Sequence, residues 1–246
     1  MRLFYHLGRY YVLISKVFAR PERSGMYYRQ TMRELEYQGI NSIGIVVIIS
    51  IFVGAVITIQ TDYNIESPFL PRYLIGVGVR DMLLLEFSST MVALILAGKV
   101  GSSIASELGT MRITEQIDAL EIMGVNSASF LILPKIISTM FFFPLLTILS
   151  LIVGMLGGYV VALITDVSSP QEFVYGLQYV FYPYYFTYAL KKMIMFAFII
   201  TTISAYHGYY AEGSSLEVGK SSTRAVVHSS IVILMFNLIL TKLILR

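Results

Sequence analysis

Long intervals without a charged residue constrain this chain more than any other feature of its sequence. Residues 37–61 and 136–165 contain no Asp, Glu, Lys or Arg, and about 20 apolar residues in a helix cross the hydrocarbon core of a bilayer. Of the 246 residues, 56% are hydrophobic and 13% are charged, whereas soluble domains carry roughly 25% charged residues. These values exclude a disordered chain and a nucleic-acid-binding module, and they predict an all-α integral membrane protein.

The same criterion, applied along the chain, predicts five membrane-spanning helices. Their approximate bounds are 40–61, 82–106, 134–165, 187–208 and 224–243. The second is the least regular, because Glu86 and Lys99 interrupt it. The chain therefore divides into an N-terminal region, 1–36, and a membrane domain, 37–246.

Basic residues predict how the spans are oriented. With a cytoplasmic N-terminus, the cytoplasmic segments hold 12 of the 18 Lys and Arg residues, and 7 of them precede residue 34. Because Lys and Arg concentrate in cytoplasmic loops, we expect the N-terminus inside and the C-terminus outside.

The first 36 residues lack the continuous apolar core of a cleavable signal. Apolar residues recur there at helical spacing, with Arg2, Arg9, Lys16 and Arg20 among them: Leu3/Phe4, Leu7, Tyr10/Tyr11, Ile14 and Val17/Phe18. This pattern predicts a basic amphipathic helix in the inner membrane interface, ended by Pro21. A cytosolic helix packed on a partner remains the alternative.

A second unusual segment, 173–190, contains nine Phe or Tyr residues among eighteen, with Pro183 interrupting it. Tyrosine favours the headgroup level of a membrane. We therefore expect a short interfacial helix on the outer face that leads into span four, and an aromatic ligand site is the less favoured interpretation.

No enzyme constellation is evident, and we predict neither catalytic nor metal-ligating residues. His6, His207 and His228 lie far apart in sequence, and the chain has no cysteine, which excludes disulfides and thiolate metal sites. The segment GSSLEVGKS at 213–221 resembles a P-loop, but five residues separate its glycines where the motif has four. ATP binding by this chain is therefore not expected.

Small residues at four-residue spacing mark one face of two spans. They are Ala97, Gly101, Ala105 and Gly109 in the second span, and Gly154, Gly158 and Ala162 in the third. Such faces let helices approach closely in a membrane. Ordinary helix packing is sufficient to explain both.

After Gly109 the pattern predicts a short cytoplasmic helix with an apolar stripe and three acids. The stripe comprises Ile113, Ile117, Leu120 and Met123/Gly124, and the acids are Glu115, Asp118 and Glu121. Such a helix could lie on the membrane as a connector or dock into a groove on a cytosolic protein. The spacing favours neither.

The sequence AGKVGSSIASELGTMRITEQIDALEIMGV at 97–125, followed by Pro134, resembles the MlaE/YrbE permease family. RPERSGMYYRQ at 20–30 is similar to the elbow helix of that family, and the first span and residues 207–230 are similar as well. The resemblance assigns 1–36 to elbow helices and 37–246 to an MlaE-type permease domain.

Members of this family are the membrane subunits of ABC transporters that move phospholipid or related lipids. The resemblance implies a homodimer in the inner membrane, a pair of ATPase subunits that bind the ATP, and a periplasmic MCE-domain lipid-binding protein. The resemblance leaves open whether a small regulatory subunit binds the ATPase. No cofactor and no nucleic-acid partner are expected for the permease itself.

The resemblance also implies roles for individual residues. The segment 107–124 would be the coupling helix that meets the ATPase, through Glu107, Gly109, Thr110, Met111, Arg112, Thr114, Glu115, Gln116, Asp118, Ala119, Leu120, Met123 and Gly124. Glu86 and Lys99 would be polar members of the lipid pathway, because charges inside a span usually face protein or water. Glu86 could instead pair with Arg80.

Two features depart from the family pattern, and two other functions stay open. EFSST at 86–90 replaces a Glu-Leu-Gly-Pro turn, so a straighter helix is expected there, and the Tyr-rich segment before span four is peculiar to this chain. An ion channel or proton-coupled carrier would need charges at matching depths on several spans. A membrane-embedded lipid enzyme would need clustered His or acidic residues.

Overall fold

The computed structural model describes residues 2–19, 24–65, 70–165 and 167–244, and every regular element within these ranges is helical. Residues 20–23 of the elbow motif, Pro21 among them, lie outside the described residues. The α-helices are α1 Arg2–Phe18, α2 Ser24–Glu34, α3 Asn41–Asn64, α4 Tyr73–Met82, α5 Val92–Leu96, α6 Ser102–Ile113, α7 Gln116–Ile122, α8 Ser127–Ile164, α9 Pro170–Gln178, α10 Pro183–Tyr209 and α11 Ser215–Ile244.

Three π-helical segments, Leu35–Ile40, Leu83–Met91 and Ala97–Gly101, join some of these helices into longer rods. Among the described residues, five continuous helices are long and apolar enough to cross a bilayer: Tyr27–Asn64, Tyr73–Ile113, Ser127–Ile164, Pro183–Tyr209 and Ser215–Ile244. The predicted fold class, an all-α membrane protein with five spans, is confirmed. Each helix extends beyond its predicted apolar interval, because polar residues continue a helix outside the hydrocarbon.

The second span is not the regular helix expected from the loss of glycine and proline at 86–90. Leu83–Met91 is π-helical, a widened turn that leaves backbone carbonyls for other partners. Lys192 Nζ donates to the Leu85 carbonyl at 3.2 Å, and Ser89 Oγ donates to the Glu86 carbonyl at 3.3 Å. Hydrogen bonds from these polar side chains therefore stabilise the π-helical backbone of Leu83–Met91, although no proline is present there.

The chain forms two compact units, and the first comprises residues 1–42, 94–143 and 195–239. In this unit α1 packs on α10, with Leu13 and Val17 fully buried and with Tyr10 donating to Thr202 Oγ1 at 2.8 Å. Desolvation raises the pKa of Tyr10 despite this hydrogen bond. The predicted apolar stripe is divided between two environments, because Val17 is buried whereas Phe4 and Tyr11 are 79% and 75% exposed.

The second unit comprises residues 43–93, 144–194 and 240–246. Its core contains Ile57, Ile75, Val79, Leu83, Leu84, Leu151, Ala162 and Phe173. The short helix predicted before span four is present as α9, which begins with a capping box: Ser169 Oγ accepts from the Glu172 N–H at 3.2 Å. A Cβ on Gly76 would lie 2.4 Å from the Phe173 carbonyl, so α4 and α9 are in backbone contact.

Helices α3 and α8 of the second unit are in contact at three successive levels. Ser50 Oγ donates to Ser150 Oγ at 2.8 Å. One turn on, a Cβ built on Gly54 would lie 1.8 Å from the Gly154 carbonyl, and another turn on, a Cβ on Gly158 would lie 2.6 Å from Thr58 Oγ1. Small residues on both helices therefore allow the two backbones to touch.

Candidate functional site

A short helix between spans two and three is present, but the segment 107–124 is not one helix. Helix α6 continues to Ile113, and α7 begins at Gln116. The Thr114 hydroxyl donates to the Thr110 carbonyl at 2.8 Å, and Glu115 adopts the left-handed φ of 60°. A left-handed conformation costs a non-glycine residue roughly 1–2 kcal/mol, so contacts beyond the turn must hold α7 in place.

Two of the three predicted acids provide those contacts. Arg112 Nη1 donates to Asp118 Oδ1 at 2.7 Å, which ties the end of α6 to α7. Glu121 accepts hydrogen bonds from Ser127 Oγ and Tyr209 OH, both at 2.9 Å, and the Tyr209 hydrogen bond is the main reason why the pKa of Glu121 is lowered. Asp118 and Glu121 therefore hold α7 against the rest of its own chain.

The predicted apolar stripe does not form one continuous surface. Ile117 is fully buried, whereas Ile113 and Leu120 are half-buried. Ile122 and Met123, at the end of α7, are 87% and 67% exposed, and Ile122 was not part of the predicted stripe. The surface offered by this segment is therefore Ile122 and Met123, because Ile117 already serves the packing of its own unit.

The other predicted coupling residues have several different environments. Thr110, Gln116 and Ala119 are exposed, Met111 is half-buried, and Gly124 ends the segment with a positive φ of 80°. A Cβ on Gly109 would lie 2.9 Å from Val218 Cγ1, so this glycine belongs to a helix contact. Glu107 is bound to Lys135.

Lys135 lies in a buried network that the sequence did not predict. It is 1% exposed, and its Nζ lies 2.7 Å from Glu34 Oε1 and 2.7 Å from Glu107 Oε2. Gln38 Nε2 donates to the other oxygen of Glu34 at 2.5 Å. The available signal was a lysine inside the predicted interval 134–165, since charges within spans are usually paired.

Glu86 and Lys99 are not brought together. Glu86 Oε2 lies 2.8 Å from Nζ of the fully buried Lys192, and Thr90 donates to Glu86 Oε1 at 2.9 Å. The alternative partner, Arg80, pairs instead with Asp81 at 2.9 Å. Lys99 donates to the Asn41 carbonyl.

The predicted small residues lie in helix contacts. Ala97 and Ala105 are fully buried, and a Cβ on Gly101 would lie 2.8 Å from Ser204 Oγ. A Cβ on Gly154 would lie 3.2 Å from Leu83 Cδ2. The structure also places glycines that the sequence analysis did not single out at tighter contacts, Gly54 above all.

The histidines are closer in space than their sequence separation suggests. His207 Nε2 and His228 Nδ1 are 2.8 Å apart, and His6 Nδ1 lies 2.7 Å from Tyr206 OH. Within the described residues, no three His, Asp or Glu side chains are grouped in a way that could hold a metal ion.

Five spans, paired charges within them and an exposed apolar tip between spans two and three are features of a polytopic transport protein. The chain matches the family model of Permease MlaE over residues 31–243. It is 34% identical over 244 residues to a probable ABC transporter permease protein of Rickettsia bellii, covering 99% of this chain and 93% of that protein. A probable ABC transporter permease protein of Synechocystis is 32% identical over 98% of this chain and 91% of its own length.

The intermembrane phospholipid transport system permease protein MlaE of Haemophilus influenzae is 28% identical over 96% of this chain and 91% of its own length. The chain therefore belongs to the MlaE permease family. It is a multi-pass ABC transporter permease, a transport subunit rather than an enzyme, and its class functions with a separate ATPase. These relatives favour neither an ion channel nor a lipid-modifying enzyme.

Proposed function

We propose that this permease moves phospholipid or a related lipid between the inner membrane and a periplasmic MCE-domain partner. The name of the Haemophilus relative supports a phospholipid cargo. Two permease copies would form the membrane core, and two ATPase subunits would bind below them. In span five, only 11% of the most apolar stretch is buried within one chain. The exposed surface is available to a second copy or to lipid, and this supports the homodimer.

We infer ATPase docking from the exposed pair Ile122 and Met123. Exposed apolar residues beyond the ends of the spans mark sites of protein or membrane contact. Because the pair lies at the C-terminal end of α7, it can insert into a groove in the way that short amphipathic helices do. Glu115 lies at the opposite end of α7 and remains available to the rim of such a groove.

The side-chain contacts that hold α7 in place connect it with the spans, so they provide a route by which ATPase docking can act on them. The Arg112–Asp118 ion pair connects α7 with α6, the last part of the second span. Glu121 connects α7 with Ser127 at the start of α8 and with Tyr209 at the end of α10. A displacement of α7 by ATP-driven closure of the partner would therefore reach three spans of the first unit.

The lipid pathway is proposed to include polar groups within the spans. Glu86 and Lys192 form an ion pair in which the lysine is fully buried and the Glu86 side chain is 41% exposed, so a polar group of the pathway can reach the carboxylate. Exposed apolar residues on α3, such as Ile48 and Phe52, suit contact with acyl chains.

Replacing both Ile122 and Met123 by Asp is expected to abolish ATPase binding. Two charges placed in an apolar groove would lose their hydration without gaining a partner. A pull-down of the ATPase from co-expressing membranes and lipid transfer in proteoliposomes measure the two consequences. Both signals should fall at least about tenfold, the equivalent of about 1.4 kcal/mol.

Leu216→Asp is the matched control, because Leu216 is also exposed, at 69%, and lies near the start of α11. It should leave ATPase binding near wild type, as should the conservative change Ile122→Leu. Full binding by the Ile122→Asp/Met123→Asp variant would show that α7 is only a connector.

The proposed orientation predicts opposite labelling of two single-cysteine variants. The native chain has no cysteine, so an impermeant thiol reagent reports only the introduced residue. Thr165→Cys, after α8, should be labelled from the outside of intact cells. Ser214→Cys, before α11, should be labelled only after the membrane is opened, and the reverse pattern would overturn the orientation.

A further inference from the structure

A polar cavity opens in the first unit between the beginning of span one and the end of span two. Its volume is about 140 Å³, whereas roughly 10–15 Å³ on the same measure accommodates one water molecule. Six polar residues line it: Tyr37, Gln38, Asn41, Ser42, Lys99 and Ser103. The cavity can therefore hold a polar group of several heavy atoms.

Lys99 places a positive charge in this cavity. Its Nζ donates to the Asn41 backbone carbonyl, and within the described residues no carboxylate lies at ion-pair distance from it. Two buried lysines within the spans are different, because Lys135 and Lys192 are each bound to Glu. An ammonium group has three N–H donors, so Lys99 can still donate to an anion.

Gln38, another residue of the lining, has a buried acceptor. Gln38 is 3% exposed, and its Nε2 donates to Glu34 Oε2 at 2.5 Å, which fixes the orientation of the amide. Its Oε1 accepts no hydrogen bond from the residues that the structure describes. Because buried polar atoms in proteins are nearly always hydrogen-bonded, this oxygen calls for a ligand with an N–H or O–H group.

The backbone around the cavity is irregular on both sides. Tyr37 and Gln38 belong to the π-helical segment Leu35–Ile40, and Lys99 belongs to the π-helical segment Ala97–Gly101. Single π-helical turns are rare and occur frequently at functional sites. Tyr37, one of the lining residues, is 57% exposed, so its ring provides an aromatic surface next to the polar groups.

We propose that this cavity binds the headgroup of a phospholipid, with the phosphate on Lys99 and an ammonium or hydroxyl donor of the headgroup on Gln38 Oε1. The inference rests on the proposed function for the identity of the cargo and for the cytoplasmic level of these residues. Basic pockets between spans on the cytoplasmic side bind lipid headgroups in other membrane proteins. The exposed ring of Tyr37 would contact the acyl chains.

Photocrosslinking of the full chain in phosphatidylcholine nanodiscs tests this site. The probe is a phosphatidylethanolamine with a diazirine near the glycerol end of one acyl chain, and crosslinked peptides are mapped by mass spectrometry. Crosslinks at 37–42 and 99–103 are expected in the wild type. Lys99→Gln should reduce them about tenfold, as expected for a lost hydrogen bond to a charged group, whereas Lys99→Arg should retain them.

Ser103→Leu fills the cavity without changing its charge and should also remove the crosslinks, and thermal unfolding shows whether each variant is folded. Lys220→Gln removes an exposed positive charge of the same unit and should have no effect. Wild-type crosslinking by Lys99→Gln, or equal crosslinking by a diacylglycerol probe without phosphate, would overturn the proposal.

Two further measurements complete the test. One distinguishes a lipid phosphate from a free phosphate, and the other distinguishes the headgroup site from the transport proposal. Displacement of the lipid probe by inorganic phosphate would show a site for the free anion, and the lipid assignment would be wrong. ATP-driven lipid transfer is measured with the same preparations. Its absence from the wild-type complex, with crosslinking intact, refutes the transport proposal but not the headgroup site.

Discussion

Lys135→Met is expected to lower the stability of the permease by about 3–5 kcal/mol, because it leaves a buried carboxylate without its cation. Lys135 is 1% exposed, and Glu34, one of its two partners, is 8% exposed. The other partner, Glu107, has a side chain that is 41% exposed and can be hydrated when the lysine is lost. Most of the cost should therefore come from Glu34.

Thermal unfolding in detergent measures this effect. At about 2–4 °C per kcal/mol for a chain of this size, Tm should fall by roughly 6–20 °C. Adding Glu34→Gln to the variant should recover much of the loss, since the buried charge is then removed as well.

The control for Lys135→Met is Lys220→Met, which removes a lysine from an exposed pair with Glu217. Exposed ion pairs contribute at most about 1 kcal/mol, so its Tm should change little. Equal losses in the two lysine variants, or no recovery on adding Glu34→Gln, would contradict the account of an unpaired carboxylate.

Gly54→Ala is expected to force α3 and α8 apart. The added Cβ would lie 1.8 Å from the Gly154 carbonyl oxygen, and backbone atoms cannot turn aside as a side chain can. Overpacking costs typically about 1–3 kcal/mol, and we expect the upper end of this range or more. Unfolding in detergent, together with the yield of folded protein from membranes, measures the outcome.

Gly44→Ala provides a matched control on the same helix. A Cβ on Gly44 meets no atom within 4 Å, and alanine is favoured over glycine in a helix by up to about 1 kcal/mol. This variant should be as stable as the wild type or more so. If Gly54→Ala is equally well tolerated, the backbone contact between the two helices is looser than described.

The sequence predicted the number of spans well, because the requirement for apolar residues in a bilayer acts on each segment separately. Ion pairs between helices that are distant in sequence were harder to infer. Lys135 and Glu34 are 101 residues apart in sequence, and nothing in either local pattern identifies the partner. The left-handed turn at Glu115 was missed for a related reason, since helical periodicity continues across it while contacts from Arg112 determine where α7 begins.

The contact between α3 and α8 could have been inferred in part. Ser50, Gly54 and Thr58 are small and four residues apart, the same spacing that drew attention to Gly154 and Gly158. Ile51, Phe52 and Val53 separate Ser50 from Gly54, and Val56 and Ile57 precede Thr58, so the pattern of small residues is less visible. The Glu86–Lys192 ion pair could not have been inferred from spacing, because the depth of Lys192 in the membrane depends on where α10 begins.

Ile117 and Ile122 lie little more than one turn apart on the same short helix, yet the fold constrains them very differently. Ile117 is enclosed by its own chain, so any change of its volume is opposed by the fold itself. The fold makes no comparable demand on Ile122, which is 87% exposed. If the proposed ATPase covers Ile122, substitutions there are therefore free to follow those of that partner, while Ile117 stays fixed by its neighbours within the permease.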